Sequence, residues 1–293
     1  MRNGIVGAAS AMFLVGTLAG VSGLIKDYPL YGGQAVRYLI AALIWIAVIK
    51  VMRLTFVRLT LRETLTLLAL TALGLVVFNV AIIESTRAAG PALVGVVLGT
   101  VPLALALVSG RPAPRLLAGA VIVVGGATLA TGLGSGNLPG LLWALVALVG
   151  EVSFSVLAIP LLPKLGAIRV SAYSTGLAVP IFFTIGLFAE GVRVPTLTEG
   201  AGYLYLGVIV TVVAFFLWYS SLPKLGPGLA GLFAGMIPVG AIVTGLALGV
   251  AVPTVPDLLG AGLVIAGIVV GLSARRNPSR SRADAAEPAT LPA

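Results

Sequence analysis

Gly90-Pro91-Ala92-Leu93-Val94-Gly95-Val96-Val97-Leu98-Gly99-Thr100-Val101-Pro102 returns 136 residues later as Gly226-Pro227-Gly228-Leu229-Ala230-Gly231-Leu232-Phe233-Ala234-Gly235-Met236-Ile237-Pro238. Both copies read G-P-x-L-x-G-x-x-x-G-x-x-P. Proline is tolerated in the first turn of a helix, where its missing N–H has no helical partner. Gly95 and Gly99, like Gly231 and Gly235, recur at i,i+4 on one face, where absent side chains let a second helix approach. Pro102 and Pro238 lie about 18 Å along their helices at 1.5 Å per residue, slightly past the middle of a bilayer. An internal proline removes a helical hydrogen bond. The expectation is a kink at each proline that frees the carbonyls of Leu98 and Ala234 toward a cavity.

Each copy sits inside a long apolar run. The chain of 293 residues is 59% hydrophobic and 9% charged, with a mean hydropathy of +1.15. Soluble chains carry roughly 25% charged residues, so lipid is the solvent for most of this one. Ten apolar runs are candidate spans: 4–25, 31–52, 63–83, 91–109, 115–133, 138–162, 168–189, 200–221, 227–248 and 256–273. Short connections such as Lys26-Asp27-Tyr28-Pro29, Ser109-Gly110-Arg111-Pro112 and Gly134-Ser135-Gly136-Asn137 carry turn residues. The first run exceeds a signal-peptide core and reads as a helix. Residues 274–293 read as a disordered basic tail, with Arg275, Arg276, Arg280 and Arg282 as a membrane-facing anchor.

With the N-terminus in the cytoplasm, fourteen Lys/Arg fall on the inner side and three (Lys26, Arg87, Arg193) on the outer, with Arg37 inside the second helix. That asymmetry predicts cytoplasmic termini. Gly119 and Gly126 align with Gly260 and Gly267 after a five-residue insertion, so the repeat unit is five helices. An odd number inverts the second copy, as in many secondary transporters. The fold class expected is an all-α membrane protein of ten transmembrane helices: residues 1–135 as the first repeat, 136–273 as the inverted second.

Charges within the spans are few. Glu151 lies mid-span in the sixth helix, where a carboxylate must be protonated, paired or facing water. It reads either as a proton or cation site or as an interhelical hydrogen bond. Arg37 and Glu84 are gating candidates that would pair across the outer side. Phe13, Asn79, Ser155, Trp218 and Tyr219 are at plausible cavity depth, with Asn79 equally suited to gluing helices together. Trp45 and Trp143 read as interface belt or lipid-facing surface.

The composition argues against enzymes. Neither cysteine nor histidine occurs, which removes disulfides, imidazole or thiolate metal sites and Ser–His chemistry. Asp27, Asp257 and Asp284 are read into loops or tail, so no buried aspartate pair is expected. No metal-ligand cluster or phosphate-binding loop is present, and no cofactor or nucleic acid is expected.

Ten helices, the paired motif, the basic inner loops and the helix-2 arginine resemble the EamA group of the drug/metabolite transporter superfamily, and over the whole length the YddG-type bacterial exporters of aromatic amino acids. That resemblance implies a basket-like bundle in the bacterial inner membrane, with a cavity formed mainly by helices 1, 3, 4, 6, 8 and 9. Many EamA members carry Trp-Gly in helix 1; this chain has Val15-Gly16, so that tryptophan's role is not carried over. The function implied is export of amino acids, aromatic or Met-like, and related small metabolites by alternating access. An alternative is proton-coupled export of cationic compounds through Glu151. A third class is a scaffold or a passive channel; the repeat argues against a scaffold but does not separate a carrier from a channel. The partners expected are a small-molecule substrate and the lipid bilayer, and nothing calls for more than a monomer.

Overall fold

The computed structural model describes residues 1–55, 57–110, 112–132, 137–249 and 252–273. Arg111, the Gly134-Ser135-Gly136 turn and the basic tail therefore lie outside the described residues. The described residues form helices α1 (Arg2–Leu24), α2 (Leu30–Val51), α3 (Leu61–Ala89), α4 (Pro91–Gly99 with Val101–Val108), α5 (Pro114–Thr131), α6 (Leu138–Val156), α7 (Leu162–Ala189), α8 (Leu197–Leu225), α9 (Pro227–Ala247) and α10 (Val255–Ser273). All but α4 and α5 are long and apolar enough to cross a membrane; in those two the apolar segments Leu93–Val108 and Pro114–Ala130 are shorter. The protein is an all-α, multi-pass membrane protein.

Several local features recur 136 residues apart. Thr60 and Glu63 form a capping box at the start of α3, and Thr196 and Glu199 form one at the start of α8. Each box satisfies orphan N–H groups of a first turn. The helix then loosens into π geometry at Leu70–Val77 and again at Leu206–Val213. Both helices end at a glycine with positive φ, 78° at Gly90 and 75° at Gly226, a conformation that side chains resist. A proline opens the next helix at once in each case.

Packing follows the same doubling. α3 lies along α6, and α1 along α8; α4 packs on α6, and α9 on α1. α2 packs on α7, and α5 on α10. The α5–α10 seam is made of glycine. A methyl group at Gly119 would meet the Gly267 carbonyl at 2.6 Å, and one at Gly126 the Gly260 carbonyl at 2.7 Å. The reciprocal approaches are 2.8 Å from Gly267 to the Gly119 carbonyl and 2.5 Å from Gly260 to the Gly126 carbonyl. This order makes the two helices antiparallel. α4 and α9 also cross antiparallel, since Gly231 faces Leu105 and Gly228 faces Ser109.

The motif helices break differently from a simple proline kink. α4 ends at Gly99 and restarts at Val101, with Pro102 in the new first turn. α9 tightens to a 3₁₀ turn over Leu232–Gly235 before continuing from Met236. At the α4 break the Thr100 N–H turns to the Val97 carbonyl at 3.0 Å, a tightened i→i−3 bond. Of the motif glycines, Gly231 packs on Leu105, Gly235 on Val123 and Val264, and Gly99 on Ala127, while Gly95 is half-buried.

Three further expectations change. α3 runs to Ala89, so Glu84 and Arg87 lie within the helix. Asp257 sits in the first turn of α10, where its carboxylate accepts from the Thr254 N–H at 2.6 Å. Trp45 is 3% exposed and packs between α2, α7 and α8, away from any belt, because small neighbours such as Ala41 and Ala172 make room for it. Trp143 is exposed.

The α5–α10 seam is testable. Gly126→Leu forces side-chain atoms into a backbone and is expected to destabilise the protein by about 1–3 kcal/mol. Gly125→Ala meets nothing within 4 Å and is expected to be near neutral. Unfolding in detergent measures both.

Candidate functional site

The two ends of the bundle are tied in different ways. At the end carrying the N-terminus, Lys164 of α7 pairs with Glu63 of α3 at 2.6 Å, and Arg169 donates to the Thr55 carbonyl at 3.0 Å. At the far end, Arg87 pairs with both Glu84 (2.9 Å) and Glu190, tying α3 to the end of α7. Glu190 also accepts the Leu30 N–H at 2.7 Å, and the Tyr31 hydroxyl donates to Glu84. Arg193 forks onto Glu199 at the start of α8, while the Tyr28 hydroxyl donates to the Arg193 carbonyl. The Glu199 carboxylate holds the Arg193 guanidinium above its ordinary range, and burial pushes the Tyr28 phenol up.

Between these ends lies a cavity of about 270 Å³. It is lined from α1, α2, α3, α4, α6, α8 and α9, so α2 joins the helices implied by the family resemblance. Its wall is mainly apolar, with Met12, Val15, Phe78, Ile82, Val101 and Ile237 among the lining groups. Toward the N-terminal end it meets an aromatic cluster. Phe154 lies 4.8 Å from Phe215 and 4.9 Å from Tyr219, centre to centre. Trp218 completes this floor, with its indole N–H donating to the Ser155 hydroxyl at 3.2 Å. Below the floor, Leu161, Leu165, Leu222 and Leu225 are almost fully buried. At the rim, Leu18 and Ala19 of α1 are exposed.

The polar groups are few. Asn79 donates to the Tyr38 hydroxyl at 3.1 Å and to the Leu75 carbonyl at 2.7 Å, a bond spanning the π stretch of α3. Arg37 lines the same region, and its Nε donates to the Thr211 hydroxyl at 2.7 Å. Thr211 in turn donates to the Leu206 carbonyl five residues back, within the π stretch of α8. The arginine therefore does not reach Glu84, which is held by Arg87 and Tyr31, and the expected gate between them is absent. Glu151 also lines the cavity, and among the described residues it joins no ion pair.

Of the residues singled out in the sequence, Asn79, Leu98, Glu151 and Ala234 meet at this cavity, together with Trp218 and Arg37. Phe13, Pro102, Ser155, Tyr219 and Pro238 do not line it; Ser155 and Tyr219 support its floor from behind. Tyr38, Phe154, Phe215 and Thr211 were not singled out. Their signal is tertiary, since the partners of Arg37 and Trp218 lie 174 and 63 residues away.

Residues 138–272 match the EamA-like transporter family. That match covers the second set of five helices, a little under half of the chain. That similarity points to a membrane transporter rather than an enzyme. The uncharacterized transporter YetK of Bacillus subtilis (strain 168) is 27% identical over 93% of this chain and 88% of its own. A crystal structure 20% identical in sequence superposes with a TM-score of 0.81, covering 93% of this chain and 98% of that one. The likeness extends the fold over both halves.

Because the protein has no cysteine, single engineered thiols report access to the cavity. Leu18→Cys and Ala241→Cys are expected to react with a membrane-impermeant thiol reagent. Leu161→Cys and Leu222→Cys are expected to react only after unfolding. Equal labelling at Leu222 and Leu18 would contradict closure at the N-terminal end.

Proposed function

We propose that this protein is a secondary transporter that exports amino acids, aromatic or Met-like, and related small metabolites across the bacterial inner membrane by alternating access. The observation that carries the reading is the cavity itself: small, apolar, floored by aromatic rings, with one cation and one acid on its wall. Ligand cavities commonly span ~300–1,000 Å³, so this one suits a small solute. An aromatic side chain gains contact area on the Phe154, Phe215 and Trp218 rings. A dianionic phosphate ester would meet too little positive charge.

The doubled caps, π stretches and antiparallel helix pairs support two inverted five-helix units, 1–135 and 136–273, whose exchange of conformation would open alternate sides. Ten crossings with both termini in the cytoplasm follow from the charge distribution. Liposomes containing the protein are expected to take up labelled Phe, Trp and Met, each competing with the others. Uptake of none of the three would sink the assignment.

One observation favours a second reading. Glu151 is a carboxyl group in the cavity without a cationic partner, which suits proton or cation coupling. Under that reading the solute is a cationic compound, and Glu151→Gln abolishes transport and its accompanying pH signal. Under amino-acid export without coupling, the variant retains uptake. Transport and internal pH recorded together separate the two.

A further inference from the structure

We infer that Arg37 is the residue that binds the substrate's carboxylate, and that the Thr211 hydroxyl aims it. The inference rests on the amino-acid reading of the cavity and names the chemistry of one end of it.

Arg37 is 8% exposed and lies on α2, yet it lines the cavity. A guanidinium inside a membrane protein is expected to pair with an acid or to face a wet cavity. Among the described residues it has no acid. Glu84 and Glu190 are held by Arg87, Glu63 by Lys164 and Glu199 by Arg193. Glu151 is the remaining acid of the cavity. Its backbone stands roughly 9 Å deeper, counting seven residues into α2 against thirteen into α6 at 1.5 Å each, and the two form no ion pair. The starts of α2 and α6 lie at the same end, since Tyr31 contacts Glu84 and Ser85 donates to the Gly140 carbonyl.

The orientation of the guanidinium is specified. Its Nε is used on Thr211, and the Tyr38 ring lies 5.4 Å from Cζ. Nη1 and Nη2 have no acceptor among the described residues. Two adjacent N–H groups left free on a fixed guanidinium match the two oxygens of one carboxylate. One such cation balances a monoanion but not a phosphate dianion. Asn79 and the Tyr38 hydroxyl border the same spot and supply polar company for the neighbouring ammonium. Phe154, Phe215 and Trp218 line the deeper part of the same cavity, where the substrate's side chain would lie. The π stretch at Leu206–Val213 acquires a purpose in this arrangement: it holds Thr211 with its hydroxyl bonded backward to Leu206, leaving the oxygen lone pair for Arg37.

The test separates carboxylate recognition from transport. Binding of L-Phe, of 3-phenylpropionate, which lacks the ammonium, and of phenylalaninamide, which lacks the carboxylate, is followed by tryptophan fluorescence of the purified protein. Uptake of labelled Phe is measured in parallel. The wild type is expected to prefer 3-phenylpropionate over the amide by about tenfold or more. Arg37→Gln is expected to erase that preference, and Arg37→Lys to retain part of it. If Arg37→Gln does not fold, Thr211→Val is expected to weaken the acid about threefold and leave the amide unchanged. A preference that survives in Arg37→Gln, or a Thr211→Val effect equal on acid and amide, overturns the inference. Arg37-dependent carboxylate binding without Phe uptake would support it while sinking amino-acid export.

Discussion

In hydrocarbon no water is available to satisfy a free backbone N–H or C=O, and each unsatisfied group costs several kcal/mol. This constraint explains both where the chain is regular and where it departs from regularity. Most of the helices run without interruption. Where the ladder changes, it changes to another closed form: π turns in α3 and α8, a 3₁₀ turn in α9, and a clean break and restart in α4. All four places border the cavity through Gly74, Val210, Ala234 and Leu98. The cavity is thus bounded by backbone with altered hydrogen bonding, a local feature often found at functional sites.

The side chains complete what the backbone begins. A π turn widens the helix, and at Leu206–Val213 the widened turn carries Thr211 to Arg37. At Leu70–Val77 it carries Gly74 onto the Phe154 backbone, which sets the aromatic floor. The glycine seam between α5 and α10 and the ionic ties at the far end brace the periphery, while the cavity wall between them is apolar and lightly bonded. The result is a braced periphery around a sparsely bonded centre.

Much of the architecture was legible in one dimension. Ten apolar runs locate the ten helices to within a few residues at most ends, because hydrophobic length is a property of the run itself. The glycine and proline punctuation marks the joints at Gly90 and Gly226. The Thr60-x-x-Glu63 and Thr196-x-x-Glu199 pairs were not singled out in the sequence; as capping boxes they give the 136-residue period a second witness. The site was less legible. Glu151 and Asn79 stand out as polar groups in apolar helices, and both reach the cavity. Arg37 stands out too, but its partner is a threonine on α8 and not Glu84. Proline was read as a simple kink, whereas α4 breaks and restarts at Pro102 and α9 tightens to a 3₁₀ turn before Pro238. Phe154, Phe215 and Tyr38 carry no sequence signal, since one aromatic residue in an apolar run looks like any other until the fold brings the rings together.

The central claim is that the cavity is a carrier site, exposed to one side of the membrane at a time. Counterflow addresses it most directly. Liposomes containing the protein are loaded with unlabelled L-Phe and diluted into a trace of labelled L-Phe. A carrier drives the label inward to a transient level above equilibrium, because outgoing unlabelled solute returns the binding site to the outside. The account predicts that overshoot, and predicts that Arg37→Gln greatly reduces it. A monotonic rise to equilibrium, with no overshoot at any loading, would mean a passive pore and would contradict the account.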